Sequence, residues 1–220
     1  MLFLLGGGPV LAHPMLPSER TFSFTVFSAE PVSNLAYKPN ADAAPLPLVF
    51  YPTARSPRYE YCGPETVCFV DVTTGMVTAE AHVPVEIRMA LLIFSPVTPA
   101  APGAMRYTVR VIDDSVLGHA PGGLVVQNFS GLPLDGTINR RHIVLAPGST
   151  TAIQVGSVVT VQLRTLFRGR SYQAYAETIQ LDESGRALLF LLPPFHRGSL
   201  EVQSRLLLDS PVAVAPPLQR

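Results

Sequence analysis

Apolar and polar residues alternate along several separate stretches of the chain, with the period of two that is typical of half-buried β-strands. The clearest stretch is 106–111, where Tyr107, Val109 and Val111 share one face and charged residues occupy the other. Three more stretches follow the same pattern, with their apolar positions at Phe22, Phe24 and Val26, at Val159, Val161 and Leu163, and at Leu200, Val202 and Leu206. No helical period of any length accompanies them. The pattern predicts an all-β fold of antiparallel sheets.

Two further stretches, 89–94 and 187–192, are apolar without interruption. A short continuous apolar run bounded by turn residues is typical of a strand that is buried on both faces. Clusters of Gly, Pro, Asn and Asp separate the predicted strands, as at Pro147-Gly148. We therefore expect two strands that are buried on both faces, one in each half of the chain.

The two halves of the chain contain similar segments in the same order. Residues 88–96 resemble 186–194, and the segments 27–31 and 129–133 both read Phe-Ser-x-x-Pro. An Asp-Ser pair closes a predicted strand in each half, at 114–115 and 209–210. Because all three matches fall in the same order with nearly constant offsets, the sequence predicts two tandem β-sandwich modules. One larger sandwich with similar strands is the alternative.

The modules are expected at 21–116 and 123–210, with a linker at 117–122 and a frayed tail at 211–220. Residues 1–12 form an apolar run that ends in Val10-Leu11-Ala12, and small residues of this kind precede signal-peptidase cleavage sites. We expect 1–12 to be the remnant of a signal peptide and the protein to be exported to the periplasm, the cell surface or the medium.

Composition narrows the class of partner. Sixteen Lys and Arg balance sixteen Asp and Glu, so the formal net charge is zero, and only 15% of the residues are charged. Electrostatic binding to nucleic acid or to anionic lipid needs a basic face, which a neutral chain does not predict. No segment reaches the continuous run of about 20 apolar residues that a membrane-spanning helix requires.

Cys62 and Cys68 bracket five residues that read as a hairpin loop. Facing residues of a non-hydrogen-bonded antiparallel pair have Cα atoms about 4.5 Å apart, which is within disulfide range. In an oxidising compartment the sequence predicts a disulfide between these two residues.

The second module carries the better-formed pattern: 125–130 reads Val-Val-Gln-Asn-Phe-Ser, 145–148 reads Leu-Ala-Pro-Gly, and 185–190 reads Gly-Arg-Ala-Leu-Leu-Phe. It resembles the small immunoglobulin- or prealbumin-like domains of exported bacterial proteins, in which a strand ending in Asn-x-Ser precedes a Pro-Gly turn. The resemblance covers about 90 residues. The resemblance implies a sandwich fold and localisation to the cell envelope, and it implies no activity.

Candidate chemistry is sparse. If cleavage follows Ala12, His13 becomes the first residue and offers an amine and an imidazole to a copper ion, although the other four histidines form no matching pattern. Tyr172 and Tyr175, with Tyr59 and Tyr61, could stack against sugars, or they could be core or strand-face aromatics. The Asp-Ser pairs fit turns better than Ca²⁺ ligands because they recur in both halves.

The sequence has no Gly-x-Ser-x-Gly nucleophile elbow and no Gly-rich phosphate loop, and Cys62 is expected in the disulfide. The arginine cluster at 164, 168 and 170 is interpreted as a solvent-exposed face. The sequence therefore predicts an exported structural or interaction protein, with no cofactor, that contacts an envelope or extracellular protein or a glycan. A glycan- or ligand-binding accessory module and a copper-binding protein that uses His13 are the alternatives.

Overall fold

The computed structural model describes residues 19–98, 101, 103–115, 122–182 and 185–209, and no helix occurs among them. The described residues form eight strands in each half of the chain. In the first half they are β1 Arg20–Ser28, β2 Leu35–Tyr37, β3 Leu46–Pro47, β4 Tyr59–Gly63, β5 Thr66–Asp71, β6 Val77–His82, β7 Met89–Pro96 and β8 Tyr107–Asp113. In the second half they are β9 Gly123–Asn128, β10 Leu134–Ile138, β11 Arg141–Leu145, β12 Thr150–Gln154, β13 Val158–Phe167, β14 Arg170–Gln180, β15 Arg186–Leu192 and β16 Gln203–Asp209.

Each half builds two four-stranded sheets with the same topology. Module 1 has an inner sheet of order β4-β1-β7-β8 and an outer sheet of order β3-β2-β5-β6. Module 2 has an inner sheet of order β12-β9-β15-β16 and an outer sheet of order β11-β10-β13-β14. The strand orders of module 2 are those of module 1 with eight added to each strand number, so the two modules have the same connectivity. The prediction of an all-β fold with two sandwich modules is confirmed.

Each module encloses its own hydrophobic core between its two sheets. The core of module 1 is rich in aromatic rings and includes Phe22, Phe24, Tyr37, Tyr59, Tyr61, Phe69 and Phe94. The core of module 2 is mainly aliphatic and includes Val159, Val161 and Leu163 at the alternate positions expected for β13. Two separate cores rule out the alternative of one larger sandwich.

A third apolar cluster joins the modules. The central strands β7 and β15 are buried on both faces, as their uninterrupted apolar sequences predict. In β7, Leu92 belongs to the core of module 1, whereas Leu91 and Ile93 point the other way into the cluster between the inner sheets. Burying a side chain of this size stabilises a fold by about 1.5–3 kcal/mol. Because this cluster lies between the two inner sheets, the four sheets stack in the order outer, inner, inner, outer.

Three phenylalanine rings run through this intermodule cluster. Phe27 of β1 stacks on Phe190 of β15 with ring centroids 5.2 Å apart, and Phe190 stacks on Phe129, just after β9, at 5.8 Å. Phe27 and Phe129 are the matching residues of the repeated Phe-Ser-x-x-Pro segment. The repeat therefore places aromatic rings at the contact between the two copies.

The inner sheets depart from the expected antiparallel arrangement at one position each. β1 pairs with β7 in parallel, and β9 pairs with β15 in parallel. These partners are far apart in sequence, and the chain passes through the outer sheet between them, so local alternation does not encode their relative direction. Within the described ranges, no helix is long and apolar enough to span a membrane.

Candidate functional site

Two cavities lie between the modules and meet at one arginine. The larger has a volume of about 540 Å³ and is lined by Ile93, Ser95, Thr108, Val109, Arg110, Phe129, Gly131, Pro147 and Gly148. The smaller, of about 360 Å³, is lined by Arg110, Val111, Ile112, Asp113, Val125, Gln127, Gly148, Thr150, Ala152 and Leu188. Both volumes fall within the range of about 300–1,000 Å³ that is typical of ligand sites. We call the two cavities together the intermodule groove.

The intermodule groove follows β8, which is an edge strand of the inner sheet of module 1. Residues 108–110 line the larger cavity and residues 110–113 line the smaller one. Only alternate residues of an antiparallel edge strand bond to the inner neighbour, and the others direct N–H and C=O groups outward. At 3.3 Å per residue, the six residues 108–113 span roughly 17 Å.

β6 of the outer sheet lies beside β8, and a backbone hydrogen bond joins the two just before β8 begins. The backbone N–H of Arg106, just before β8, donates to the carbonyl of Thr78 on β6 at 2.8 Å. From residue 107 to 113, β8 pairs with β7 alone among the described residues. The intermodule groove therefore borders a stretch of β8 for which β7 is the one backbone partner among the described residues.

Arg110 crosses the intermodule groove from β8 to module 2. Its Nη1 donates to the carbonyl of Gly148 at 3.0 Å, and its guanidinium carbon lies 4.5 Å from the ring centroid of Phe129. A guanidinium carries five N–H donors. Among the described residues Arg110 has no carboxylate partner, so it presents an unneutralised cation to both cavities.

The glycine at 148 fits this arrangement. It has a φ of +79°, in the left-handed region that favours glycine. A Cβ at this position would lie 3.7 Å from Nη1 of Arg110. The Pro147-Gly148 turn that the sequence predicts thus offers its backbone to the arginine.

A buried asparagine fixes the wall of the intermodule groove on the side of module 2. Asn128, at the end of β9, is fully buried, and its Nδ2 donates to the carbonyls of Leu132, Leu145 and Ala146. Its Oδ1 accepts from the hydroxyl of Ser130 at 2.6 Å. The Asn-x-Ser motif therefore has a structural role: its hydrogen bonds connect the loop that contains Phe129 to the turn that contains Gly148.

The disulfide prediction is wrong. Cys62 and Cys68 are both free and exposed. β4 belongs to the inner sheet and β5 to the outer sheet, so their connection crosses between sheets and the two strands never face each other as a hairpin. In the registers observed, Cys62 lies opposite Thr21 and Cys68 lies opposite Glu80. Partial burial, with the nearby Glu80 carboxylate, raises the pKa of the Cys68 thiol.

The tyrosines do not form one open face. Tyr59 and Tyr61 are core residues of module 1. On β14, Tyr172 is exposed, but Tyr175 is only 8% exposed and its hydroxyl donates to the carboxylate of Glu177. Burial and this hydrogen bond raise the pKa of Tyr175 well above its ordinary value. A sugar platform on β14 would have Tyr172 as its one exposed ring.

The remaining predicted residues take structural or solvent-exposed positions. The backbone N–H of Ser115 donates to Oδ1 of Asp113 at 3.0 Å, a local side-chain–backbone hydrogen bond at the end of β8. Asp114 is buried and forms an ion pair with Arg55 at 2.6 Å. His82 is exposed, as expected from the alternation of β6. No group of three or more metal-ligating side chains occurs in the described part of the chain.

Several predictions fall on residues outside the described ranges. The proposed signal remnant 1–12 and His13 are among them, and so are most of the linker and the tail at 211–220. Export and copper binding at His13 stay predictions.

Sequence reasoning missed Arg110 and Phe129 as site residues. In the sequence, Arg110 is one of the charged residues on the face of β8 that is predicted to be solvent-exposed. Phe129 belongs to the repeated Phe-Ser-x-x-Pro segment. They belong to different modules, so only the packing of the inner sheets brings them together. Comparisons with protein-family models and with curated proteins find no match for this chain.

Proposed function

We propose that the protein is a binding protein that holds an extended segment of a partner protein in the intermodule groove. The segment adds a strand along the outer edge of β8, and an acidic side chain or terminal carboxylate of the segment pairs with Arg110. No bond-making step is part of this function. With the predicted export, the partner is an envelope or extracellular protein.

One observation carries the proposal: an arginine without a carboxylate partner among the described residues sits where two cavities meet along an edge strand. Edge strands accept extended peptides through main-chain hydrogen bonds, and neighbouring pockets select the side chains. The groove supplies both polar and apolar contacts. Ser95 and Thr108 provide hydroxyls, and Ile93 and Val109 provide apolar surface.

The experiment is a selection of random ten-residue peptides displayed on phage against the full chain, followed by affinity measurements on a recovered peptide. We expect the recovered peptides to be enriched in Asp and Glu. Arg110→Glu should weaken binding at least tenfold, because one charge-assisted hydrogen bond contributes about 1.5–3 kcal/mol. Thr108→Trp, which fills the larger cavity and keeps Arg110, should also weaken binding.

Arg58→Glu is the matched control. Arg58 is exposed and lies just before β4, at the opposite edge of the same inner sheet, so this charge reversal should leave the affinity unchanged. The melting temperature of each variant verifies that it folds. Peptides that bind Arg110→Glu and Thr108→Trp as tightly as the unmodified protein would disprove the proposed function.

A further inference from the structure

The hairpin of β13 and β14 extends beyond its sheet. β13 pairs with β10 only from Val161 to Arg164, so β14 is the one described strand that pairs with the last three residues of β13. A two-residue turn, Arg168-Gly169, closes the hairpin with φ values of +49° and +76°. These angles are typical of the type I′ turn, which matches the twist of the two strands. We call residues 164–172 the hairpin tip.

The hairpin tip combines apolar and cationic side chains. Leu166 is 68% exposed, and Phe167 and Tyr172 are also exposed. Arg164, Arg168 and Arg170 are the only charged residues between 164 and 172. The guanidinium of Arg168 lies 5.2 Å from the ring centroid of Phe167, so charge and ring share one surface.

No described carboxylate neutralises these arginines. None of the three forms an ion pair within the described part of the chain. Asp135 lies opposite Arg164 in the register of β10 and β13, but its carboxylate contacts the ring of His142 instead. The neutral net charge of the whole chain therefore conceals a local basic surface.

The loop between β15 and β16 contacts β14 just beyond the hairpin tip. The backbone N–H of Val202 donates to the carbonyl of Ala174 on β14 at 3.0 Å, and Nε2 of Gln203 donates to the carbonyl of Pro193. The loop between these contacts carries Phe195, which is 78% exposed, and Arg197. One acidic residue, Glu201, lies in this loop.

We propose that the hairpin tip docks onto an anionic lipid bilayer. The tip is a convex end of a two-stranded ribbon, and the interface of a bilayer accepts a convex apolar end without a matching concave surface. Leucine and aromatic side chains insert at the boundary between headgroups and acyl chains, while guanidinium groups stay among anionic headgroups. Each Arg near such a surface strengthens binding several-fold, and the effect falls off within a Debye length.

The test is co-sedimentation of the full chain with vesicles of phosphatidylcholine containing about 30% phosphatidylglycerol, beside vesicles of phosphatidylcholine alone. We expect binding to the anionic vesicles only, and weaker binding at high salt. Two double variants separate the contributions: Leu166→Ser with Phe167→Ser removes the apolar part, and Arg168→Glu with Arg170→Glu reverses the charge. Each should reduce the partition coefficient at least tenfold.

Matched controls come from the same sheet. Val158→Ser alters an exposed apolar residue at the other end of β13, and Arg141→Glu reverses an exposed arginine at the start of β11. Both controls should bind as the unmodified protein does. The proposal would be overturned if the protein did not bind the vesicles. It would also be overturned if the charge-reversal variant lost binding while the Leu166→Ser, Phe167→Ser variant bound as tightly as the unmodified protein. Binding of the tip to acidic polypeptide such as polyglutamate in place of vesicles would also overturn it.

Discussion

At the scale of single residues, the groove depends on two side chains with opposite environments. Arg110 is exposed and reaches across to Gly148, whereas Asn128 is fully buried and holds the loops that carry Phe129 and Gly148. A buried amide whose partners are backbone carbonyls is costly to remove because the carbonyls lose their donors. Asn128 is therefore a positioning residue for the groove.

Asn128→Ala should lower the free energy of unfolding by about 3 kcal/mol, since it leaves several buried carbonyls without this donor. Chemical denaturation with urea measures this change. Asn40→Ala is the control: Asn40 is exposed and accepts one local hydrogen bond from the N–H of Asp42, so its loss should cost no more than about 0.5 kcal/mol. Equal effects of the two substitutions would contradict the role given to Asn128.

At the scale of strands, the sequence pattern identifies most elements and misplaces one connection. Alternation predicts β8 and β13, and uninterrupted apolar runs predict β7 and β15 with both faces buried. The segment between Cys62 and Cys68 looks like a hairpin locally. Whether a short connection stays within a sheet or crosses to the facing sheet depends on the packing of the whole module.

The free thiols can be counted directly. Because the strands carrying Cys62 and Cys68 lie in different sheets, the folded and air-exposed protein should contain two thiols that react with a disulfide reagent such as Ellman's reagent. The raised pKa of Cys68 should make it the slower of the two at neutral pH. Cys62→Ser and Cys68→Ser assign each rate. If no thiol reacted, the assignment of both cysteines as free would be wrong and the predicted disulfide would be supported.

At the scale of the whole molecule, duplication explains how the modules pack and where the groove lies. Two copies of one sandwich pack through their inner sheets, and the repeated phenylalanines of the two copies share the ring stack at the contact. The sequence predicts the two copies from the echo of 88–96 in 186–194. It does not predict the intermodule groove, because no local pattern records which sheet of one copy faces which sheet of the other.

The most direct test of the binding account is hydrogen–deuterium exchange of the full chain, alone and saturated with a peptide recovered from the display selection. If the peptide adds a strand to β8, amide protection should increase at residues 108–113, which pair with β7 alone among the described residues. At a peptide concentration near the dissociation constant of the unmodified protein, the Arg110→Glu variant should show a much smaller increase. Protection that appears elsewhere in the chain, with exchange at 108–113 unchanged, would contradict the account.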